Sequence, residues 1–372
     1  MKRKVIAAGH ICIDITPAFK RNEEMKITDV FKPGKLVDMG NVSISTGGSV
    51  ANTGLGMKLL GANVTLMGKL GNDEFGDMIC TILNKYGASD GMIRSEESST
   101  SYSVVLAVPG NDRIFLHNPG ANNEFYSDDV PYEALQEAAL FHFGYPTLMR
   151  SMYSNGAIEL VTLLKKVHAA GCATSLDLAA VDPDSEAGKC DWAQILEAVL
   201  PNVDFFVPSV EELCFMLDRE RYEEWQVRAN GDDITKYLDE EKDIKPLAMK
   251  CIELGAKTVL LKCGVPGMFF ASAREDKLAE ISERVGLDAS KWADKSLFEK
   301  SYVPDVILSG TGAGDTSIAA FLTSMLEGEV PEECLHLATA TGACCVTSYD
   351  ALSGLKPLEE LKDRIKSGWE KV

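Results

Sequence analysis

The chain has 372 residues, enough for two ordinary domains or one large one, and enough for a core that needs no disulfide or metal. Hydrophobic residues make up 45% and charged residues 25%, the mix of a soluble globular protein. With 56 acidic against 37 basic residues the net charge is −19. That argues against a nucleic-acid or anionic-membrane surface, because phosphates need clustered Lys and Arg, and it favours small molecules held in a local pocket.

The N-terminal run MKRKVIAAGHICIDITP is basic and then apolar, but it ends at Asp14 without a small-residue cleavage pattern. A buried first strand over Val5–Ala8 is expected there, not a signal peptide. Residues 12–48 lack helical period, and Lys35–Thr46 reads as strand. A helix is expected over Ala51–Leu60, a strand over Val64–Gly68 and a helix over Glu74–Tyr86. Residues 99–117 hold two β-rich runs around Pro109-Gly110-Asn111-Asp112, a hairpin signal. The pieces at about 12–48 and 99–120 are expected to form a small sheet apart from the main one, a lid over a site.

The alternation continues with a strand over Leu140–Gly144, a helix over Ser151–Ala170 closed by Gly171, a strand over Ala173–Asp177 and a helix over Ala193–Val199. A strand over Asp204–Val207, a helix over Val210–Leu217, a strand over Val259–Lys262 and a helix over Ala313–Leu326 follow. Residues 218–245 and 273–300 read as acidic surface excursions. Short strands alternating with helices predict an α/β fold with a mostly parallel sheet, as a single domain over residues 1–372. No stretch approaches the ~20 apolar residues of a membrane span. The ten cysteines form no C-x-x-C pair and the five histidines show no metal spacing. A reducing, cytoplasmic setting without structural zinc is expected.

In an open parallel sheet, ligands bind beyond the carboxyl ends of the strands. The residues at those ends are Asp14, Gly68, Gly144-Tyr145, Asp177, Ser209 with Glu211, and Lys262-Cys263-Gly264. Carboxylates, glycines and one lysine on a common rim suit a phosphorylated ligand with a metal.

The segment Ser309-Gly310-Thr311-Gly312-Ala313-Gly314-Asp315-Thr316 opens a helix. The amides of Gly312, Ala313 and Gly314 then sit at a helix N-terminus, where free N–H groups and the dipole make an anion hole. Asp315, in the first turn, is placed to take a proton from an attacking hydroxyl during phosphoryl transfer. The plainer alternative is a capping aspartate with packing glycines. A second segment, Thr46-Gly47-Gly48-Ser49-Val50-Ala51-Asn52-Thr53-Gly54, offers Asn52 and close backbone approach to a polyol. In a third, Gly68–Gly76, Asp73 reads as an N-cap.

Together these motifs resemble the ribokinase-like (PfkB) carbohydrate kinases over nearly the whole chain. GGSVANTG, the G-x-x-G-x-D-x-x-G segment at 68–76, Pro119-Gly120-Ala121-Asn122 and T-G-A-G-D at 311–315 occur in family order. The resemblance implies a ribokinase-like fold with a β-sheet lid, and transfer of the γ-phosphoryl group of ATP, with Mg²⁺, to a hydroxyl of a sugar or nucleoside. It implies Asp315 as catalytic base and Gly312, Ala313 and Gly314 as anion hole. Asp14, Gly47, Gly48 and Asn52 would bind the sugar, Lys262, Gly264 and Gly267 the nucleotide, and Glu211 would organise Mg²⁺.

Three departures stand out. Pro208 stands where the N-x-x-E motif has Asn. Ser309-Gly310 stand where many members carry Asp-Thr, whose Asp helps hold a monovalent cation in some relatives; this puts potassium activation in question. Asp177 is present, but Ala179 and Val181 replace the rest of a D-x-N-x-R pattern. A nucleoside kinase or a non-catalytic sugar-binding regulator are the other readings. A dinucleotide dehydrogenase is rejected, since no G-x-G-x-x-G follows the first strand, and a Walker P-loop is absent. His10 and His142 read as core histidines, His117 and Asn118 as lid residues near the substrate, and Cys12 as a packing thiol. Exposed lid edges suggest a homodimer through the lid.

Overall fold

The apolar runs become strands covered on both faces. The computed structural model describes residues 2–20, 24–111 and 113–372. The strands are β1 (Lys4–Gly9), β2 (Cys12–Phe19), β3 (Met39–Gly47), β4 (Asn63–Gly71), β5 (Met92–Ser95), β6 (Tyr102–Leu106) and β7 (Ile114–Asn118). They continue with β8 (Leu140–Gly144), β9 (Ala173–Asp177), β10 (Phe205–Phe206), β11 (Thr258–Lys262), β12 (Gly267–Ser272) and β13 (Ser296–Lys300).

Among the described residues the main sheet has the order β13-β12-β11-β10-β9-β8-β1-β4-β5. It is parallel from β11 to β5, and β12 and β13 join antiparallel at one edge. Val5, Ile6, Ala7 and Ala8 are all fully buried, and alternate residues serve opposite faces. Ile6 and Ala8 pack with Phe141 and Phe143, whereas Val5 and Ala7 pack with Leu66 and Ile318. This is the ribokinase-like α/β architecture expected from the alternation.

A second sheet, in the order β3-β2-β6-β7, stands over the carboxyl ends of the main strands. It is mixed: β2 pairs parallel with β6, and the outer pairs are antiparallel. The predicted hairpin is β6–β7, with Asp112 of its turn outside the described residues. The strand predicted over Lys35–Thr46 is shorter at its start, Met39–Gly47.

Three expectations change. Residues 273–300 are not a surface excursion: Leu278, Ile281 and Val285 form a buried stripe on the helix Glu275–Val285, Trp292 is buried, and β13 is the sheet edge. The helix expected over Ser151–Ala170 spans Arg150–Ala169 but is broken at Ser154–Ala157, where Asn155, Gly156 and Ala157 adopt positive φ. The helix expected over Ala51–Leu60 opens as a π-helical turn, Val50–Gly54, before Leu55–Leu59, a feature that often accompanies functional sites. Asp73 caps the helix Glu74–Asn84 by accepting from the Gly76 amide at 2.9 Å.

Candidate active site

Neighbouring strands deliver their ends to one cleft. Gly9, Gly144 and Asp177 lie side by side in register across β1, β8 and β9. The residues that follow the first two, His10 and Tyr145, line a cavity of about 750 Å³ with Asp14, Gly48, Asn52 and Asp315. A larger open groove of about 1100 Å³ beside the broken helix holds none of the strand-end carboxylates, so the chemistry belongs to the smaller cavity.

Asp315 sits in the first turn of the helix Ala313–Leu326 and is 6% exposed. Its Oδ1 accepts from the Tyr145 hydroxyl at 2.6 Å and from Thr53 Oγ1 at 3.3 Å, and its Oδ2 accepts from Asn52 Nδ2 at 3.0 Å. The π-helical turn presents Asn52 and Thr53 together to this one carboxylate. Tyr145 reaches it from a left-handed backbone, φ 66°, a conformation that costs about 1 kcal/mol or more for a non-glycine residue and is typical of sites held by their surroundings. Burial and the carboxylates of Asp315 and Asp177 push the Tyr145 phenol well above its ordinary value, so it stays a donor.

The helix is capped by Gly312, φ 78°, where a Cβ would lie 2.2 Å from that of Ala351; both backbone and space require glycine. The Ala313 amide bonds the Gly310 carbonyl at 3.3 Å. Of the three amides expected to face an anion, this one is therefore engaged in the turn. Gly314 packs on the stem of Lys262, which brings the ammonium to the helix N-terminus.

Lys262 does not stand apart at a nucleotide end. Its Nζ donates to Asp177 Oδ1 at 2.7 Å, with Glu212 and Asp315 as further charged neighbours; the pair is buried behind the cavity lining. Burial pushes the Asp177 carboxyl up to about 8, against the pull of Lys262. Asp177 Oδ2 is buried and has no hydrogen-bond partner. Gly264 and Gly267 lie in the β11–β12 turn, packed on Thr235 and on the backbone at Glu299, and neither lines the cavity. The helix Pro331–Cys345 starts at the opposite rim, where Glu332 pairs with Lys295. Only its far end reaches the anion loop, through the Cys345 thiol on the Thr311 carbonyl.

Glu211 is also displaced from its expected place. Its carboxyl is pushed up by burial and then by Asp233 and Glu212, and it does not line the cavity. Glu212, one position on, does. Both lie in the first turn of the helix Val210–Leu217, where Ser209 and Glu212 form a reciprocal capping box. The helix start fixes which glutamate turns to the cleft.

At the other end of the cavity Asp14, on β2, accepts from the Cys12 thiol at 3.4 Å, and burial pushes its carboxyl up against the pull of Ser103 and the Arg113 cation. Gly47 and Gly48 earn their place by close approach: a Cβ on Gly47 would lie 2.3 Å from Asp14 Oδ2, and one on Gly48 2.6 Å from His10 Nδ1. From the β6–β7 hairpin Arg113 reaches down to Ser309 Oγ at 2.6 Å and also bonds Thr311 Oγ1. It thus ties the small sheet to the anion loop.

Four residues without a role in the sequence reading therefore join the cleft: Tyr145, Glu212, Arg113 and His10. Tyr145 was visible only as a strand-end residue. The Ser209-x-x-Glu212 capping pattern was a readable signal for Glu212. His142 is a satisfied core histidine, bonded to Ser49 and Ser175. His10 is buried too, but its Nδ1 lacks a partner.

A model of the pfkB family of carbohydrate kinases matches residues 2–357. The chain belongs to that family. Its members are phosphotransferases with an alcohol group as acceptor, and this chain is a sugar kinase of that class. It is 23% identical over 371 residues to a 5-dehydro-2-deoxygluconokinase of Clostridium perfringens, covering 98% of this chain and 94% of that one. It is 24% identical over 306 residues to an uncharacterized sugar kinase of Archaeoglobus fulgidus, covering 81% and 98%. In fold it is similar to the ribokinase of Arabidopsis thaliana complexed with ribose and ATP, with a TM-score of 0.70 at 20% identity over 98% of this chain and 99% of that one. No helix among the described residues is long and apolar enough to cross a membrane.

Proposed function

We propose that this pfkB-family kinase transfers the γ-phosphoryl group of ATP to a hydroxyl of a small carbohydrate, with Asp315 as general base. The observation that carries this reading is the Asp315 carboxylate, held by Tyr145, Thr53 and Asn52 at the helix N-terminus and open to the cavity. Three donors fix its orientation, so an acceptor hydroxyl can be met without reorganisation.

The acceptor lies between Asp14, Gly47, Gly48 and Asn52, with the small sheet above. Asp14 takes hydrogen bonds from its hydroxyls. The donor phosphates lie toward Gly312, Ala313, Gly314 and Lys262, whose ammonium offsets charge on the transferring group. Gly264 and Gly267 shape the turn beyond, on the nucleotide side. Arg113 reaches the anion loop from the lid, so closing the lid and completing the phosphate side are one event. Closure excludes water, the competing acceptor.

The residues fit a Mg²⁺ ion. Asp177 Oδ2 is a buried oxygen without a partner, Glu212 is its charged neighbour and lines the cavity, and Mg²⁺ is usually held by one or two carboxylates plus substrate phosphates. When bound, the ion neutralises charge on the phosphates. Glu212 takes over the role expected of Glu211. One related structure, a putative ribokinase II from E. coli, is in complex with ATP and Mg²⁺, which supports both cofactors here.

The lid edges carry Val42, Ile44 and Leu116, each about half exposed. Pairing of two lids would cover them, so a homodimer through the lid is part of the proposal. Release of ADP on adding a sugar, lost in Asp315→Asn, tests the reaction.

A further inference from the structure

We propose that Asp14, Ser103, His117 and His10 form a one-way hydrogen-bond chain that presents an unprotonated Nδ1 of His10 to the acceptor. The site thereby selects a hydroxyl donor at that point and rejects a carbonyl or ether there. This rests on the reading of the cavity as the acceptor site.

The four residues come from the strand-end loop and the lid sheet, and all line the same cavity. His117 Nδ1 lies 2.9 Å from Ser103 Oγ, and His117 Nε2 lies 3.3 Å from His10 Nε2. Ser103 in turn stands beside Asp14 and pulls its carboxyl down, and Asp14 accepts from the Cys12 thiol.

The direction of the chain follows from what each group can do. A carboxylate only accepts. Asp14 is surrounded by donors: Cys12, Ser103 and the Arg113 cation. Burial pushes its carboxyl up, and these three pull it back. Ser103 spends its single proton on Asp14, so its oxygen accepts from His117 Nδ1–H. A neutral imidazole has one N–H, so His117 Nε2 is a lone pair. It must be met by His10 Nε2–H. That leaves a lone pair on His10 Nδ1. Burial pushes His10 down to about 3 and lowers His117, so neither ring carries a second proton at neutral pH.

His10 Nδ1 is the atom left without a partner, on a residue 2% exposed. A buried acceptor without a donor is costly, and the cavity is where its donor would come from. Gly48 keeps the approach open, since a Cβ there would lie 2.6 Å from this nitrogen. A substrate O–H completes the chain; a carbonyl oxygen would face it lone pair to lone pair.

The test reads the nitrogens directly. In protein labelled with ¹⁵N-histidine, with signals assigned by single substitutions, long-range proton–nitrogen spectra report each tautomer. The expected result is His10 as the Nε2–H form and His117 as the Nδ1–H form, unchanged from pH 6 to 8. Ser103→Ala, which releases the fixed end, should turn both into tautomer mixtures. A His10 signal of the Nδ1–H form, or a mixture in the unsubstituted protein, would overturn the proposal. In a second arm, each hydroxyl of the best acceptor other than the one phosphorylated is replaced in turn by fluorine, which cannot donate. One position should lose about tenfold or more in kcat/KM, and a loss under about twofold at every position overturns the selection. If no sugar releases ADP, the kinase reading itself has failed, and the nitrogen spectra still decide the chain.

Discussion

The Tyr145 hydroxyl donates to Asp315 Oδ1 at 2.6 Å, across 170 residues of sequence. The tyrosine follows the end of β8, and the aspartate opens the helix beside it. The bond holds one carboxylate oxygen while Asn52 Nδ2 holds the other. Tyr145→Phe removes the donor and keeps the ring. We expect kcat to fall about tenfold, the lower end of what a misplaced catalytic group costs, with KM for ATP little changed. Steady-state kinetics on both substrates check this; an unchanged kcat would remove Tyr145 from the site.

Arg113 joins the lid to the anion loop through Ser309 and Thr311. Arg113→Ala opens that link. We expect kcat with sugar to fall by about ten- to a hundredfold, the scale of losing a group that positions or neutralises the phosphates. ATP hydrolysis without acceptor should rise relative to sugar phosphorylation, because water enters a loosely closed site. Comparing ADP release with sugar-phosphate formation separates the two.

Lys262 and Asp177 form a buried ion pair at 2.7 Å, with the carboxylate fully buried and the lysine side chain 13% exposed. Lys262→Met removes the cation and leaves the buried Asp177 carboxyl without its partner. We expect a loss of about 3 kcal/mol of stability, seen as a lower Tm. The pH dependence has a definite sign. Asp177 is already pushed up to about 8 by burial, and without Lys262 it is pushed further. The folded state then holds a proton that the unfolded state releases above its ordinary carboxylate range. Stability of the variant therefore rises as pH falls from about 8 toward 5, and is lost as pH rises. Melting curves should show this loss continuing above pH 8 in the variant, where the unsubstituted protein has released its Asp177 proton and levels off.

Ile44 and Val42 lie exposed on the edge strand β3. Ile44→Glu should yield monomer at concentrations where the unsubstituted protein sediments as a dimer. A monomer in both would remove the lid pairing.

Much of this was readable from the sequence. The helix Ala313–Leu326 has its expected bounds, because Gly312 and the apolar period mark its start. The strand ends Gly144 and Asp177 were read from apolar runs that stop abruptly. The two acidic neighbours, Glu211 and Glu212, were harder. Consecutive residues of a helix differ by roughly 100° in direction, so one position decides which faces the cleft. Arg113 had no local signature, since its partners are about 200 residues away. The segment 273–300 misled because charge on its exposed face outweighed the stripe Leu278, Ile281, Val285.

Phosphoryl transfer with Asp315 as base is tested by a single assay. ADP release from ATP and Mg²⁺ is followed against pentoses, hexoses, polyols, sugar acids and nucleosides, with Asp315→Asn run in parallel. Turnover on a carbohydrate is expected, with a fall in kcat of two or more orders of magnitude in the variant and ATP binding retained. Near-normal turnover by Asp315→Asn, or preference for a nucleoside over every sugar, would contradict it.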